Sequence, residues 1–207
     1  MQQRTSQVLY AYWNEVRGER LAPRRFDIEP AQLGGVLSET FILECDDAKT
    51  ATFRLAGTKV CDSFGREFRG TPFLELFAAD DNDRLVQSME DVRSHGSVLV
   101  MEAEARAPGH ASVRFEIVLM PLVHTGTAIS RLLGSITAID PPIWLGTETL
   151  PPLDVLRVQM VWPDGRPHAI ADKLRHQPVL IPELAGARLV RVNRRSFRVL
   201  DGGLANE

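Results

Sequence analysis

Residues 98–140 read VLVMEAEARA (98–107), PGHA (108–111), SVRFEIVLMPLV (112–123), HTGTAIS (124–130) and RLLGSITAID (131–140), and this stretch decides the fold. Three runs rich in β-branched and long apolar side chains are separated by Pro-Gly and Thr-Gly-Thr connections that reverse the chain. They predict consecutive antiparallel strands over Val98–Ala107, Ser112–Val123 and Arg131–Asp140. In the middle run Val113, Phe115, Ile117 and Leu119 share one face, and Val118, Met120 and Leu122 share the other. A sheet that is apolar on both faces needs cover on both faces.

Working outward, Glu39–Asp46 and Thr50–Gly57 predict a hairpin turned at Asp46-Asp47-Ala48-Lys49. Phe41, Leu43 and Cys45 fall on one face of its first strand, and Phe53 alternates in step with Leu55 on the second. After Gly57 the alternation stops. Short helical pieces are predicted at Thr58–Phe64 and Pro72–Phe77, then a helix capped by Asp80-Asp81-Asn82-Asp83. Its buried stripe is Leu85, Val86, Met89 and Val92, and it closes at His95-Gly96. At the start of the chain, Val8, Leu9, Tyr12, Trp13 and Val16 form a helical stripe that stops at Gly18. An extended connector with Pro23 and Pro30 follows, Pro30 suiting the first turn of a short helix through Leu37.

Composition bounds the class. With 207 residues, 44% hydrophobic and 25% charged, the chain can bury a core without staples and is not disordered throughout. No run approaches the roughly 20 apolar residues of a membrane span, and the start lacks a secretory apolar run, so a cytoplasmic protein is expected. Cys45 and Cys61 are too few for a disulfide framework or a thiolate metal site and read as small core residues. The net charge of -3 divides unevenly: residues 1–150 carry 15 basic and 21 acidic side chains, residues 151–207 carry 9 and 6. Arginine supplies 21 of the 24 positive charges, which argues against a lysine-rich membrane-surface binder.

Two strands, then helices, then three strands is an order that resembles the PAS domain. Tyr12-Trp13, the run Pro23-x-Arg25-x-Asp27-Ile28-x-Pro30, Phe53-Arg54-Leu55-Ala56-Gly57-Thr58, Phe64-Gly65 followed by Gly70, Met120-Pro121-Leu122 and Leu133-Gly134 are similar, in this order, to one bacterial PAS-like family. The resemblance covers about residues 7–140. It implies an α+β fold: a five-stranded antiparallel sheet with an N-terminal helix and a helical connector. The expected division is residues 1–38 for the first helix and connector, 39–140 for the PAS-like core, and 141–207 for a linker and a small C-terminal β extension. The family implies a signalling role and names no ligand.

In such a fold Cys61, Phe64, Phe73, Leu76 and Phe77 of the connector face Phe53, Leu55, Phe115 and Ile117 of the sheet. A filled core is the first expectation there, and a cavity for a small apolar ligand the second. Cys61 lacks the Asn-Cys-Arg-Phe-Leu-Gln surroundings of flavin-photoreceptor relatives, and His95, standing before Gly at a helix end, suits capping better than haem ligation. His95, His110, His124, His168 and His176 stand singly, with no metal-ligand spacing and no phosphate-binding glycine loop nearby, so no metal or cofactor is indicated. Arg25 and Asp27 are expected to fasten the connector locally, and Gly57, Gly65 and Gly70 to sit at positive φ.

The second apolar sheet face must be covered by the first helix, the tail or a second chain. The expectation is a homodimer through Val8, Leu9, Tyr12, Trp13, Val16, Val118, Met120 and Leu122. In the tail, alternating Val155–Val161, the turn Trp162–Arg166 and a hairpin of Leu189–Val192 with Phe197–Leu200 predict the β extension. Its basic patch is Arg188, Arg191, Arg194, Arg195 and Arg198; with no aromatic platform beyond Phe197, a partner-facing or solvated strand is favoured over nucleic-acid binding. Together these readings predict a stand-alone sensory or protein-interaction module, not an enzyme. It would dimerise and dock on a protein such as a sensor kinase or regulator. The alternative is a nucleotide-binding receptor or small-molecule enzyme using the core cavity or the arginine-bearing tail.

Overall fold

The three runs become β3 (Val98–Ala105), β4 (Val113–Val123) and β5 (Ile129–Ile139) in a computed structural model, which describes residues 1–164. The upstream hairpin consists of β1 (Thr40–Glu44) and β2 (Thr52–Ala56). Its turn is held by Asp47, whose carboxylate accepts from the Lys49 amide at 2.7 Å. The hairpin docks on β5, where Phe41 lies opposite Gly134 and Ile42 opposite Leu133.

The sheet has six strands, one more than expected. Residues Asp154–Val161 form β6, which pairs antiparallel with β3, so the order is β2-β1-β5-β4-β3-β6. The alternating run at Val155–Val161 therefore belongs to the main sheet and not to a separate extension. The crossing from β5 to β6 contains the pairs Pro141-Pro142 and Pro151-Pro152, which disfavour helix and central strand there. The expected hairpin at Leu189–Val192 and Phe197–Leu200, with Arg188, Arg191, Arg194, Arg195 and Arg198, lies outside the described residues.

One face of the sheet, the inner face, is closed by α2 (Thr58–Phe64), a 3-10 turn at Phe73–Leu76 and α3 (Asn82–His95). Leu85, Met89 and Val92 of α3 are buried while Val86 is only half-buried. The helix stops at Gly96, which at φ +67° donates its amide to Val92 O at 3.0 Å.

The outer face is covered over β4 and β5 by α1 (Arg4–Arg17) of the same chain. Leu9 and Trp13 are fully buried, and Trp13 Nε1 donates to Pro121 O at 2.9 Å. Beneath the first turn, the buried carboxylate of Glu116 accepts from the Gln2 and Gln3 amides at 2.6 and 3.0 Å, placing an anion where the helix dipole is positive. This corrects the expected dimer surface. Leu9, Trp13, Val118, Met120 and Leu122 have no exposure because they pack within the chain. Only Val8, Tyr12 and Val16 keep outward-facing area.

The connector from α1 to β1 is a series of 3-10 turns, Arg25–Asp27, Pro30–Leu33 and Leu37–Glu39, instead of one short helix through Leu37; the Gly34-Gly35 pair interrupts it. Gly65 and Gly70 take positive φ as expected, but Gly57 sits at φ -70°. Space fixes Gly57, since a Cβ there would overlap the Ser38 carbonyl.

Candidate functional site

On the inner face, phenylalanines fill the space where a ligand cavity was one of two expectations. Phe53 packs at a tilt against Phe68 at 4.8 Å, Phe41 at 5.3 Å and Phe73 at 5.7 Å. Phe64 extends the cluster to Phe68 and Phe115, and Phe73 extends it to Phe77. Centroid separations of this kind are those of favourable aromatic pairs. Of the nine expected lining residues, Phe53, Phe64, Phe73, Leu76, Phe77, Phe115 and Ile117 are buried here. Phe68 escaped the sequence reading because Arg66, Glu67 and Arg69 surround it in the chain.

The other two expected residues are elsewhere. Cys61 lies beside an open polar cleft of ≈ 940 Å³ between α2, the end of β5 and the 141–147 segment. Its Sγ is 3.7 Å from Glu67 Oε2. Burial, and then the Glu67 charge, push the thiol pKa up, so the group stays protonated at neutral pH and is a poor nucleophile. The charges around the cleft are mixed in sign, with Lys59 Nζ 3.1 Å from Glu39 Oε1.

Leu55 projects from the outer face and is 50% exposed. The cause is a β-bulge: Ile42 pairs with Leu55 but Leu43 pairs with Phe53, so Arg54 is an extra residue and the alternation shifts by one. Leu55 thereby joins a groove that α1 leaves open over β2, β1 and β5. One lobe, ≈ 540 Å³, is apolar, with Ile42 and Leu133 as floor and Ile28, Leu33 and Leu37 as wall. The other, ≈ 580 Å³, is lined by Arg25, Arg54, Arg69, Arg131 and His124. The lobes share Arg25, Ile42, Leu55 and Ala56.

Arg131 is the fixed point of the basic lobe. Its side chain is only 8% exposed, and Nη1 lies 2.6 Å from Glu44 Oε1, while Arg54 approaches the other oxygen at 3.5 Å. The hydrogen bond from Arg131 is the main reason that the Glu44 carboxyl sits below its ordinary range. The connector supplies Arg25, whose Nη1 reaches Ile28 O at 3.5 Å. Asp27 does not pair with it. Asp27 accepts from Arg20 at 2.7 Å and from the Arg24 amide at 3.1 Å, so the local fastener exists with Arg20 and Arg24 in place of Arg25. His124 packs against the exposed ring of Phe26 at 5.5 Å, and its Nδ1 is buried with no hydrogen-bond partner.

Among the other histidines, His110 contacts Glu148 at 3.2 Å and the Trp144 ring at 4.7 Å, and His95 Nδ1 lies 3.8 Å from Asp91. His168 and His176 lie outside the described residues. Among the described residues no cluster of three or more His, Cys, Asp or Glu side chains is placed to hold a metal ion, and no helix is long and apolar enough to cross a membrane.

An antiparallel sheet whose second and third strands are joined by a helical connector packed on one face, with an N-terminal helix on the other, is an α+β architecture of the PAS type. A family model described as a PAS domain matches residues 1–137, and the chain belongs to that family. Distant likenesses among solved structures include the Rhodobacter sphaeroides LOV protein, 15% identical, with a TM-score of 0.41 over 50% of this chain and 60% of that one. A point variant of RsLOV is 13% identical, with a TM-score of 0.40 over 69% of this chain and 72% of that one. No curated protein matches.

Proposed function

We propose that this PAS domain serves as a signal-transduction module that works by binding, with its output carried by contacts to a second copy and to a protein partner such as a sensor kinase or regulator. The observation that carries the reading is the inner face, where the Phe53 cluster occupies the space a core ligand would need. The thiols support it, because burial pushes Cys45 up to about 12 and Cys61 in the same direction, and neither is poised for covalent chemistry. Val8, Tyr12 and Val16 repeat every four residues on the outward side of α1 and make a short apolar stripe for self-association.

The helix is mechanically tied to the connector. Tyr12 Oη accepts from the Glu29 amide at 2.8 Å, and Arg20, which donates to Val16 O at the end of α1 at 2.6 Å, also holds Asp27. A shift of the connector therefore reaches α1, and a signal acts by favouring one of two connector positions.

Two measurements test the reading. Light scattering at tens of micromolar should return twice the chain mass, and Val8→Asp, at an exposed position of α1, should return the monomer with an unchanged far-UV circular dichroism spectrum. A monomeric parent overturns self-association. Absorption spectra of the purified protein should show no chromophore, and a crystal structure no ligand among the Phe53 rings; either one overturns the filled-interior reading.

A further inference from the structure

We propose that the outer-face groove is a binding site for an amphipathic anion: an elongated apolar molecule that ends in a carboxylate. The two lobes share Arg25, Ile42, Leu55 and Ala56, so one ligand can lay its tail in the first and its head in the second. The apolar lobe, at ≈ 540 Å³, lies within the roughly 300–1,000 Å³ of small-molecule sites. Its floor and wall are aliphatic side chains of β1, β5 and the connector, which suits a hydrocarbon and offers little to a polar nucleoside. Four arginines line the second lobe, and the acids beside them are Glu44 and Glu67. Glu44 is engaged by Arg131 and Arg54 together, which leaves the lobe with a positive balance. Guanidinium groups bind carboxylates through paired N–H donors, and among the described residues Arg25 makes one long contact of its own.

The His124 ring lines the same lobe beside the four arginines. The groove also has a route to the rest of the molecule. Its connector wall carries Arg25 and Ile28, and the neighbouring Asp27 and Glu29 hold α1 through Arg20 and Tyr12. Occupancy thus favours one connector position and biases the outward stripe of α1. The inference deepens the binding-module reading by naming what is sensed, and its test is independent of chain mass and core occupancy.

Dodecanoate below its micelle threshold, titrated calorimetrically into the full chain, should bind one to one and roughly tenfold or more tighter than dodecanol, with butyrate weaker than either. Arg25→Gln/Arg69→Gln should lose about tenfold for dodecanoate and nothing for dodecanol, whereas Leu55→Asp should weaken both. All three positions are on the surface of the groove, so unchanged thermal midpoints verify that the variants fold. The proposal is overturned if dodecanoate does not bind, if it binds no tighter than dodecanol, or if the folded variants bind both probes like the parent. Saturable binding of an acidic amphipathic peptide without binding of dodecanoate reassigns the groove to a protein and overturns the small-molecule assignment.

Discussion

The two faces of the sheet are closed in different ways. The inner face is sealed by phenylalanine rings that touch one another across β1, β2, β4 and the connector, with no side chain of the cluster reaching water. Among the described residues the outer face is sealed where α1 lies, over β4 and β5, and is open where the connector stands off from β1 and β2. The difference teaches where a fold of this class can keep an adaptable site once its interior is solid. A filled interior fixes the scaffold, and the proposed recognition falls on the half-covered face.

The comparison breaks most easily from the inside. Phe53→Ala removes the ring that meets Phe41, Phe68 and Phe73, and should lower the unfolding free energy by about 3–5 kcal/mol in denaturant titrations. A loss under about 1 kcal/mol would mean that the inner face is not tightly packed. On the closed part of the outer face, Trp13→Phe keeps an aromatic ring but removes the hydrogen bond to Pro121 O. The expected cost is about 1 kcal/mol for the bond, with a further increment for the vacated volume, and an unchanged midpoint would show that α1 does not seal the sheet.

At the open part, acidity sharpens the contrast. Arg131 holds the folded-state pKa of Glu44 below the ordinary value of about 4.3, so the contribution of the pair is complete above that value and is lost as pH falls through the folded pKa. Stability measured from neutrality down to about pH 3 should therefore fall less steeply in Glu44→Gln than in the parent, and parallel curves would remove Glu44 from the account. The smallest effect belongs to Phe26, 75% exposed beside His124 at the rim of the basic lobe. Phe26→Ala should stay within about 0.5 kcal/mol of the parent, and a larger loss would make the rim part of the core.

Much of the fold was legible because its signals are local. Alternation placed β3, β4 and β5, and the helix Thr58–Phe64 has the predicted bounds, since β2 ends at Ala56 just before Gly57 and Gly65 supplies the left-handed stop. What stayed hidden depends on contacts distant in sequence. The bulge at Arg54 that turns Leu55 outward exists only in the pairing with β1. A stripe containing Leu9 and Trp13 announces an apolar helix face but not whose sheet it covers, which is why contacts within the chain were read as a dimer surface. The run that became β6 was visible as a strand, whereas its partner β3 was not. The groove was hardest to see. Arg25, Arg54, Arg69 and Arg131 come from four separate segments; Arg25 and Arg54 stand in family-like motifs, but nothing local in the sequence brings the four together.

The close approach of β1 to β5 carries one more consequence. Phe41 and Gly134 face each other across the ladder, and the Phe41 ring occupies the volume that any Cβ at position 134 would need. The two positions are thus a single hereditary unit although the chain separates them widely. Lineages that place a larger residue at 134 must first shrink the ring at 41, and an alignment of relatives should record the two sites changing together or not at all.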